Sequence, residues 1–173
     1  MISDEMVHAL NDQLNFELYS SYFYLSMTAA LSSMNFSGAA NWMNVQVQEE
    51  LIHANRFFNY INARDARVEL EAIKKPAVNW DSMLAVFEDA FKHEKIVSSR
   101  INNLAGLAIE AKDFSTYNML QWFIAEQVEE ESNVKKVIDR LKKAGDAEQA
   151  LLMLDAELAL RTLTPPPPDP LAP

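Results

Sequence analysis

The sequence of 173 residues contains no cysteine. This absence excludes disulfides, zinc fingers and every other metal site built on thiolates. No stretch approaches the roughly 18 consecutive apolar residues of a membrane-spanning helix. The acidic start, Met1–Glu5, lacks the basic and apolar regions of a signal peptide. We therefore expect a cytoplasmic protein with no membrane partner.

Basic residues are also scarce. Fifteen Lys and Arg stand against 25 Asp and Glu, which gives a formal net charge of −10 and an isoelectric point near 4.7. Such a surface repels the phosphates of nucleic acids and attracts cations. Nucleic acid is therefore not an expected partner, whereas metal ions are.

Glycine and proline, which interrupt helices, are few and unevenly placed. There are three glycines, and six of the seven prolines lie between Pro165 and Pro173, the other being Pro76. Apolar residues elsewhere recur with a period of about 3.6 residues. Ser3, Ser37, Asp113 and Asp146 supply capping signals. The pattern predicts helices over 4–33, 37–64, 81–109, 113–143 and 146–161.

The connections between these helices define the fold class. The first and third connections are short, so each joins an antiparallel pair. The second, 65–80, can extend roughly 50 Å at about 3.3 Å per residue, which exceeds the length of a bundle helix. We expect an all-α four-helix bundle with one long crossover connection and a short fifth C-terminal helix. The domain would span 1–161, and a Pro-rich tail, 162–173, would be extended or mobile.

Each of the four long helices interrupts its apolar stripe with a glutamate near its middle. These are Glu17, Glu50, Glu94 and Glu130. One such residue alone is typical of a helix boundary, but four at one depth cost several kcal/mol each unless they are neutralised. Two divalent cations would balance four carboxylates, and His53 adds an imidazole one turn after Glu50. Oxygen ligands with one imidazole favour iron or manganese over a structural zinc site.

Other acidic and aromatic residues near this level leave alternatives open. Glu49, Glu126 and Glu129 are either a solvated acidic face or an additional cation site. Tyr24 is a redox-active phenol or, as we favour, a core aromatic whose hydroxyl bonds to a carboxylate. His93 lies about 100° around its helix from the glutamate beside it and is assigned no role.

A second Glu-x-x-His pair and the apolar fifth helix are both expected to have structural roles. Glu5 and His8 repeat the Glu-x-x-His spacing, but they lie in the first helical turn, where acids offset the dipole, and are expected at the surface. The fifth helix, with Ala150–Leu154 and Leu158–Leu160, is apolar on more than one face. Burial between subunits is the simplest explanation for such a helix.

In their order and spacing, these residues resemble those of the non-haem bacterial ferritins. The resemblance covers residues 1–161 and rests on Glu17, Tyr24, Glu49, Glu50, His53, Glu94 and the run 121–130, Gln-Trp-Phe-Ile-Ala-Glu-Gln-Val-Glu-Glu. It implies a di-iron ferroxidase centre that oxidises Fe²⁺ with dioxygen or hydrogen peroxide. It also implies a hollow homo-oligomeric cage of about 24 subunits that stores ferric mineral, with the fifth helices at four-fold axes.

The resemblance also implies a role for each site residue. One iron would be held by Glu17, Glu50 and His53, and the other by Glu50, Glu94 and Glu130. Gln127 would lie near the second iron. A third iron site would be formed by Glu49, Glu126, Glu129 and Glu130.

Two departures from related families narrow the assignment. Ile52 stands where a bacterioferritin offers a haem-ligating methionine, so haem is not expected. Gln127-x-x-Glu130 replaces a second Glu-x-x-His motif, which disfavours bacterioferritins and di-iron oxygenases. The alternatives are a rubrerythrin-like di-iron peroxide reductase or oxidase without mineral storage, a mini-ferritin, and a non-catalytic helical scaffold whose carboxyls stay protonated.

Overall fold

A computed structural model describes residues 2–171; Met1 and the last two residues of the predicted tail lie outside this range. Within it the chain forms five helices and no strand, which confirms the predicted all-α bundle. The first four begin and end within two residues of the predicted bounds, and the fifth is shorter at both ends. The helices are α1 (Asp4–Ser33), α2 (Ser37–Ala63), α3 (Met83–Glu110), α4 (Phe114–Ala144) and α5 (Glu148–Leu158). None of these helices is long and apolar enough to cross a bilayer.

The connection between α2 and α3 is the predicted crossover, and it follows α1 for most of that helix's length. Asn11 and Asn15 each donate to one carbonyl and accept from one backbone N–H of the segment 67–71, at 2.7–3.0 Å. Further along α1, Ser26 donates to the carbonyl of Ala77 at 2.6 Å. The crossover thus returns the chain to the end where α2 began, so α3 runs parallel to α2 and antiparallel to α1.

The apolar core is divided into two halves. One half lies towards the α5 end and includes Met27, Leu31, Met43, Phe87, Val134 and Leu141. The other lies towards the start of α1 and includes Leu10, Leu14, Phe57, Ile61, Ile101 and Leu120. The four central glutamates fall between these two sets along each helix, so they form a polar layer that separates the halves.

Two of the predicted helix caps are confirmed, and a third is wrong. Ser3 and Asp113 cap α1 and α4 as predicted, each accepting from the backbone N–H three residues later. Asp146 is not a cap, because Ala147 occupies the N-cap position of α5.

The predicted cap of α2 is wrong, and a residue from the far end of the chain takes its place. Phe36, not Ser37, occupies the N-cap position and makes no side-chain bond there. The carboxylate of Asp155 on α5 accepts from the backbone N–H groups of Gly38 at 3.1 Å and Ala39 at 2.8 Å. A Cβ at position 38 would meet the carbonyl oxygen of Asp155 at 1.7 Å, so only glycine permits this approach. The contact therefore both caps α2 and fixes α5 against the bundle.

We expect Asp155→Ala to destabilise the protein by about 1–2 kcal/mol, because two N–H groups of α2 would lose their acceptor. Ser37→Ala should change the free energy of unfolding by much less, since its side chain does not cap the helix. Urea unfolding followed by circular dichroism measures both. Equal effects of the two substitutions would contradict this assignment of the cap.

Candidate metal centre

Three of the predicted ligands form a compact buried group. Glu17 on α1 and Glu50 and His53 on α2 each present one ligand atom within 4.8 Å of the others. His53 follows Glu50 by one helical turn, and its Nδ1 lies 3.3 Å from Oε2 of that glutamate. Oε2 of Glu17 is buried and has no hydrogen-bond partner in the described part of the chain. A lone pair on this oxygen is therefore free for a cation.

Glu94 faces this group from α3 and is held by two neutral donors. The hydroxyl of Tyr24 donates to its Oε1. Nε2 of Gln127 donates to its Oε2 at 3.0 Å. All three side chains are buried. The structure thus supports the hydrogen-bonding interpretation of Tyr24 and gives Gln127 a contact to the carboxylate itself.

Glu130 completes the layer from α4, and its partner was not predicted from the sequence. Nε2 of Gln46 donates to Oε2 of Glu130 at 3.0 Å. Gln46 is fully buried, and its Oε1 has no partner among the described residues. It lies one turn before Glu50, so a polar residue at i−4 of a predicted ligand is the signal that would have found it.

A second unpredicted glutamine connects Glu17 to the surface. Nε2 of Gln13 donates to Oε1 of Glu17 at 2.8 Å, and Nε of Arg100 donates to Oε1 of Gln13 at 2.9 Å. Arg100 is itself held by Asp12 at 2.7 Å and lies 4.1 Å above the ring of Phe16. This chain of bonds orients Glu17 without placing a positive charge against it.

Burial and the nearness of other carboxyls raise the pKa values of the glutamates in the layer. Burial is the main cause that raises the pKa of each central glutamate, and Glu94 and Glu130 raise the pKa of Glu50 further. The pKa of Glu130 rises to about 8. Burial, followed by the charge of Glu94, also raises the pKa of Tyr24 well above its usual range. Without a cation, the layer therefore retains protons near neutral pH.

The three outer acids lie at a more open position. Glu49 is partly buried and paired with Arg161, whose Nη2 donates to its Oε2 at 2.7 Å. Glu126 is partly buried and Glu129 is exposed. Together with His53, they line a cavity of about 290 Å³ beside the buried layer. We call this cavity the mouth of the centre.

Besides His53, the sequence contains two histidines, His8 and His93. His8, like Glu5, is exposed as predicted. His93 is buried among aromatic rings, and its Nε2 lies 2.7 Å from Oγ of Ser20. Burial lowers its pKa to about 4, so His93 is neutral and packs in the core.

The fold and site together define a four-helix-bundle protein with a buried centre of carboxylates and one imidazole. The Ferritin-like domain family model matches residues 7–144. The bacterial non-heme ferritin of Escherichia coli is 37% identical over 159 residues, which are 92% of this chain and 96% of that protein. The corresponding protein of Staphylococcus aureus is 38% identical over 162 residues, covering 94% of this chain and 98% of its own.

Solved structures give the same result. The open pore ferritin of the archaeon Archaeoglobus fulgidus superimposes with a TM-score of 0.93 at 48% identity, covering 94% of this chain and all of that one. The chain belongs to the ferritin-like family, and its relatives include non-haem bacterial ferritins.

The metal-free protein should lose stability as pH rises from about 4.3 to about 8. The glutamate pKa values are raised in the folded state above the unfolded value of about 4.3, so the folded state binds more protons in this window. The stabilisation is complete below the unfolded pKa and is lost as pH passes through the folded pKa. Glu130→Gln should flatten the dependence, because it removes one such group.

Melting temperatures of chelator-treated protein across this pH range measure the effect. Glu110→Gln is the control, since Glu110 is an exposed residue at the end of α3. A slope that is the same in wild type, Glu130→Gln and the control would contradict the proton uptake by Glu130.

Proposed function

We propose that this protein oxidises Fe²⁺ at the buried centre and stores the product as ferric mineral inside an oligomeric cage. The observation that carries the proposal is the convergence of four buried glutamates, one from each helix, with a single imidazole. Unlike a solvated acidic face, this layer is stable as carboxylates only with cations among them. Family membership supports the same function, because the relatives are ferritins.

The donor set fits two iron ions. Glu17, Glu50 and His53 would hold one, using the free oxygen of Glu17. Glu50, Glu94 and Glu130 would hold the other, so that Glu50 is shared. Gln127 would stay a neutral neighbour, since its amide already donates to Glu94. Hard oxygen ligands with one imidazole suit Fe²⁺ and Fe³⁺ and leave coordination positions open for an oxidant.

The charge of the ligands favours oxidation. Negative carboxylates stabilise Fe³⁺ more than Fe²⁺, which lowers the reduction potential of bound iron. Two Fe²⁺ ions give two electrons, which reduce dioxygen with two protons to hydrogen peroxide, or reduce hydrogen peroxide with two protons to two waters. Protons held by the glutamates in the metal-free layer are released when iron binds. The layer therefore holds protons or iron, and each displaces the other.

Neutral donors position the ligands for this exchange. Tyr24 and Gln127 hold Glu94, Gln46 holds Glu130 and Gln13 holds Glu17, so that each carboxylate keeps its direction when it loses its proton. Partners of this kind tune a metal's affinity through its ligands. Tyr24 contributes to the reaction through Glu94, as a positioning residue.

Storage requires an enclosure and a route to it. Exposed apolar side chains on α5 and after it, including Met153 and the 78%-exposed Leu160, support burial between subunits. The resemblance to ferritins supports a cage of about 24 such subunits. Glu49, Glu126 and Glu129 would form the additional cation site through which iron leaves the centre. The domain 1–161 would carry oxidation and assembly, and the tail 162–173 would be a separate element.

We expect Glu94→Gln to lower the initial rate of Fe²⁺ oxidation under air by about tenfold or more, because the second iron loses an anionic ligand. The neutral amide resembles the protonated glutamate, so the metal-free variant should fold normally. Absorbance of the ferric product measures the rate. Glu88→Gln is the matched control, since this half-exposed residue of α3 pairs with Lys142. Wild-type oxidation by Glu94→Gln would exclude this residue from the centre.

Anaerobic Fe²⁺ should raise the melting temperature of the metal-free protein, because a ligand that binds only the folded state stabilises it. A scaffold with permanently protonated carboxyls would show no change. Iron retained per subunit after aerobic loading separates storage from a rubrerythrin-like enzyme. Such an enzyme would keep about two ions, whereas we expect a far larger number here.

A further inference from the structure

The Pro-rich tail does not leave the subunit after α5. Nδ2 of Asn41 donates to the carbonyls of Ala159 at 3.2 Å and Arg161 at 2.9 Å. Further on, a guanidinium N–H of Arg56 donates to the carbonyl of Pro167. Asn59 and Asp169 also bond, at 2.8 Å. At about 100° per residue these three α2 residues lie within about 60° of one another around the helix, so the tail follows one face of α2.

The tail and this face of α2 match in length. Eight residues separate Arg161 from Asp169, and at about 3.1 Å per residue an extended proline-rich chain spans about 25 Å. The helix from Trp42 to Asn59 rises about 1.5 Å per residue and covers about the same distance. Four consecutive prolines, Pro165–Pro168, restrict the free chain, so it loses less conformational entropy on docking.

Arg161 anchors the tail where it reaches the metal centre. Its guanidinium pairs with Glu49 at 2.7 Å, donates to the carbonyl of Trp42 at 3.2 Å and lies 4.0 Å above the ring of Trp42. Side chains of Arg161 and Glu49 are only 17% and 18% exposed. The guanidinium of Arg161 therefore balances the charge of Glu49, one of the three outer acids, as a metal ion would.

The following residues cover the mouth of the centre. Thr162, Thr164 and Pro165–Pro167 line the same cavity as His53 and Glu126. Arg56, which holds Pro167, lies 3.8 Å above the ring of Trp122, another residue of this cavity. The tail thus spans the opening between α2 and α4 through which the buried layer meets solvent.

We propose that residues 161–171 are a strap over the mouth of the metal centre, and that Arg161 and a metal ion compete for Glu49. This inference rests on the proposed function, because it assigns a regulator to the additional cation site. With the strap docked, Arg161 neutralises Glu49 and weakens metal binding there. A metal at Glu49 displaces Arg161, frees the strap and opens the mouth. Because the two equilibria are linked, each weakens the other by the same factor.

Titration with Zn²⁺ alone, which avoids oxidation, tests the competition by calorimetry at neutral pH. Wild-type protein should show a tight class of sites at the buried layer and a weaker class that includes Glu49. Arg161→Gln should tighten the weaker class by about 5- to 50-fold and leave the tight class unchanged. Arg140→Gln is the matched control, since it removes an arginine–glutamate pair, with Glu157, neither member of which lines the mouth. In Glu49→Gln the weaker class should be lost, with or without Arg161→Gln.

A label on the strap tests its release. Because the sequence has no cysteine, Leu171→Cys provides one attachment site for a nitroxide. Zn²⁺ at the concentration that fills the weaker class should increase label mobility in the otherwise wild-type protein. The label should already be mobile without metal in the Arg161→Gln and Glu49→Gln backgrounds.

Two outcomes would overturn the strap and leave the proposed function intact. In the first, the tight class binds normally but the weaker class has the same affinity in wild type and Arg161→Gln. In the second, the label stays immobile when the weaker class is filled. Absence of Zn²⁺ binding to both classes would contradict the proposed function as well.

Discussion

Burial of four carboxyl groups in one layer is the constraint on which the rest of this structure depends. The layer divides the apolar core into two halves, each of which draws side chains from all four long helices. Helix packing above and below fixes the layer's position and keeps all four glutamates buried. Burial raises the pKa of each central glutamate, so the metal-free layer holds protons near neutral pH, and in the proposed function cations replace those protons. A fold that forces carboxyls together in this way favours cation binding as a consequence of its packing.

The side chains that donate hydrogen bonds to these carboxyls are uncharged. Gln13, Gln46 and Gln127 satisfy one oxygen each, and Tyr24 donates to a fourth. A lysine or arginine in these places would hold the carboxylates more strongly, but it would also supply the charge that the metal must bring. Arg100 donates to Gln13 and makes no hydrogen bond to a carboxyl of the layer in the described part of the chain. Neutral donors therefore direct the ligands while leaving their charge to be balanced by protons or metal.

Sequence patterns located the helices and the four glutamates because each is a local signal: a glutamate in an apolar stripe is visible without knowledge of the fold. Long-range partners could not be predicted in this way. Ser37 was assigned as a cap because it precedes α2, whereas the acceptor is Asp155, more than 100 residues away. A glutamine such as Gln46 is more typical of a helix surface than of a core, so its residue type alone does not predict its burial. The tail's composition correctly indicated no helix, but its docking depends on α2 side chains such as Arg56 that have no distinctive sequence pattern.

The layer and its mouth differ in which groups compete with a metal for the carboxylates, and this difference bears on the direction in which a metal would move. We expect a metal to be held most strongly by the buried carboxyls, because only protons and neutral donors compete with it there. Glu49 is already paired with Arg161, so under the proposed function a metal that moves outward would meet a competitor at its first step. Under the proposed function, metal affinity would therefore fall from the layer to the mouth within one subunit. Because Fe³⁺ attracts carboxylates more strongly than Fe²⁺, it displaces an arginine more readily. Such a barrier would retain Fe²⁺ until it is oxidised and then let the ferric product leave.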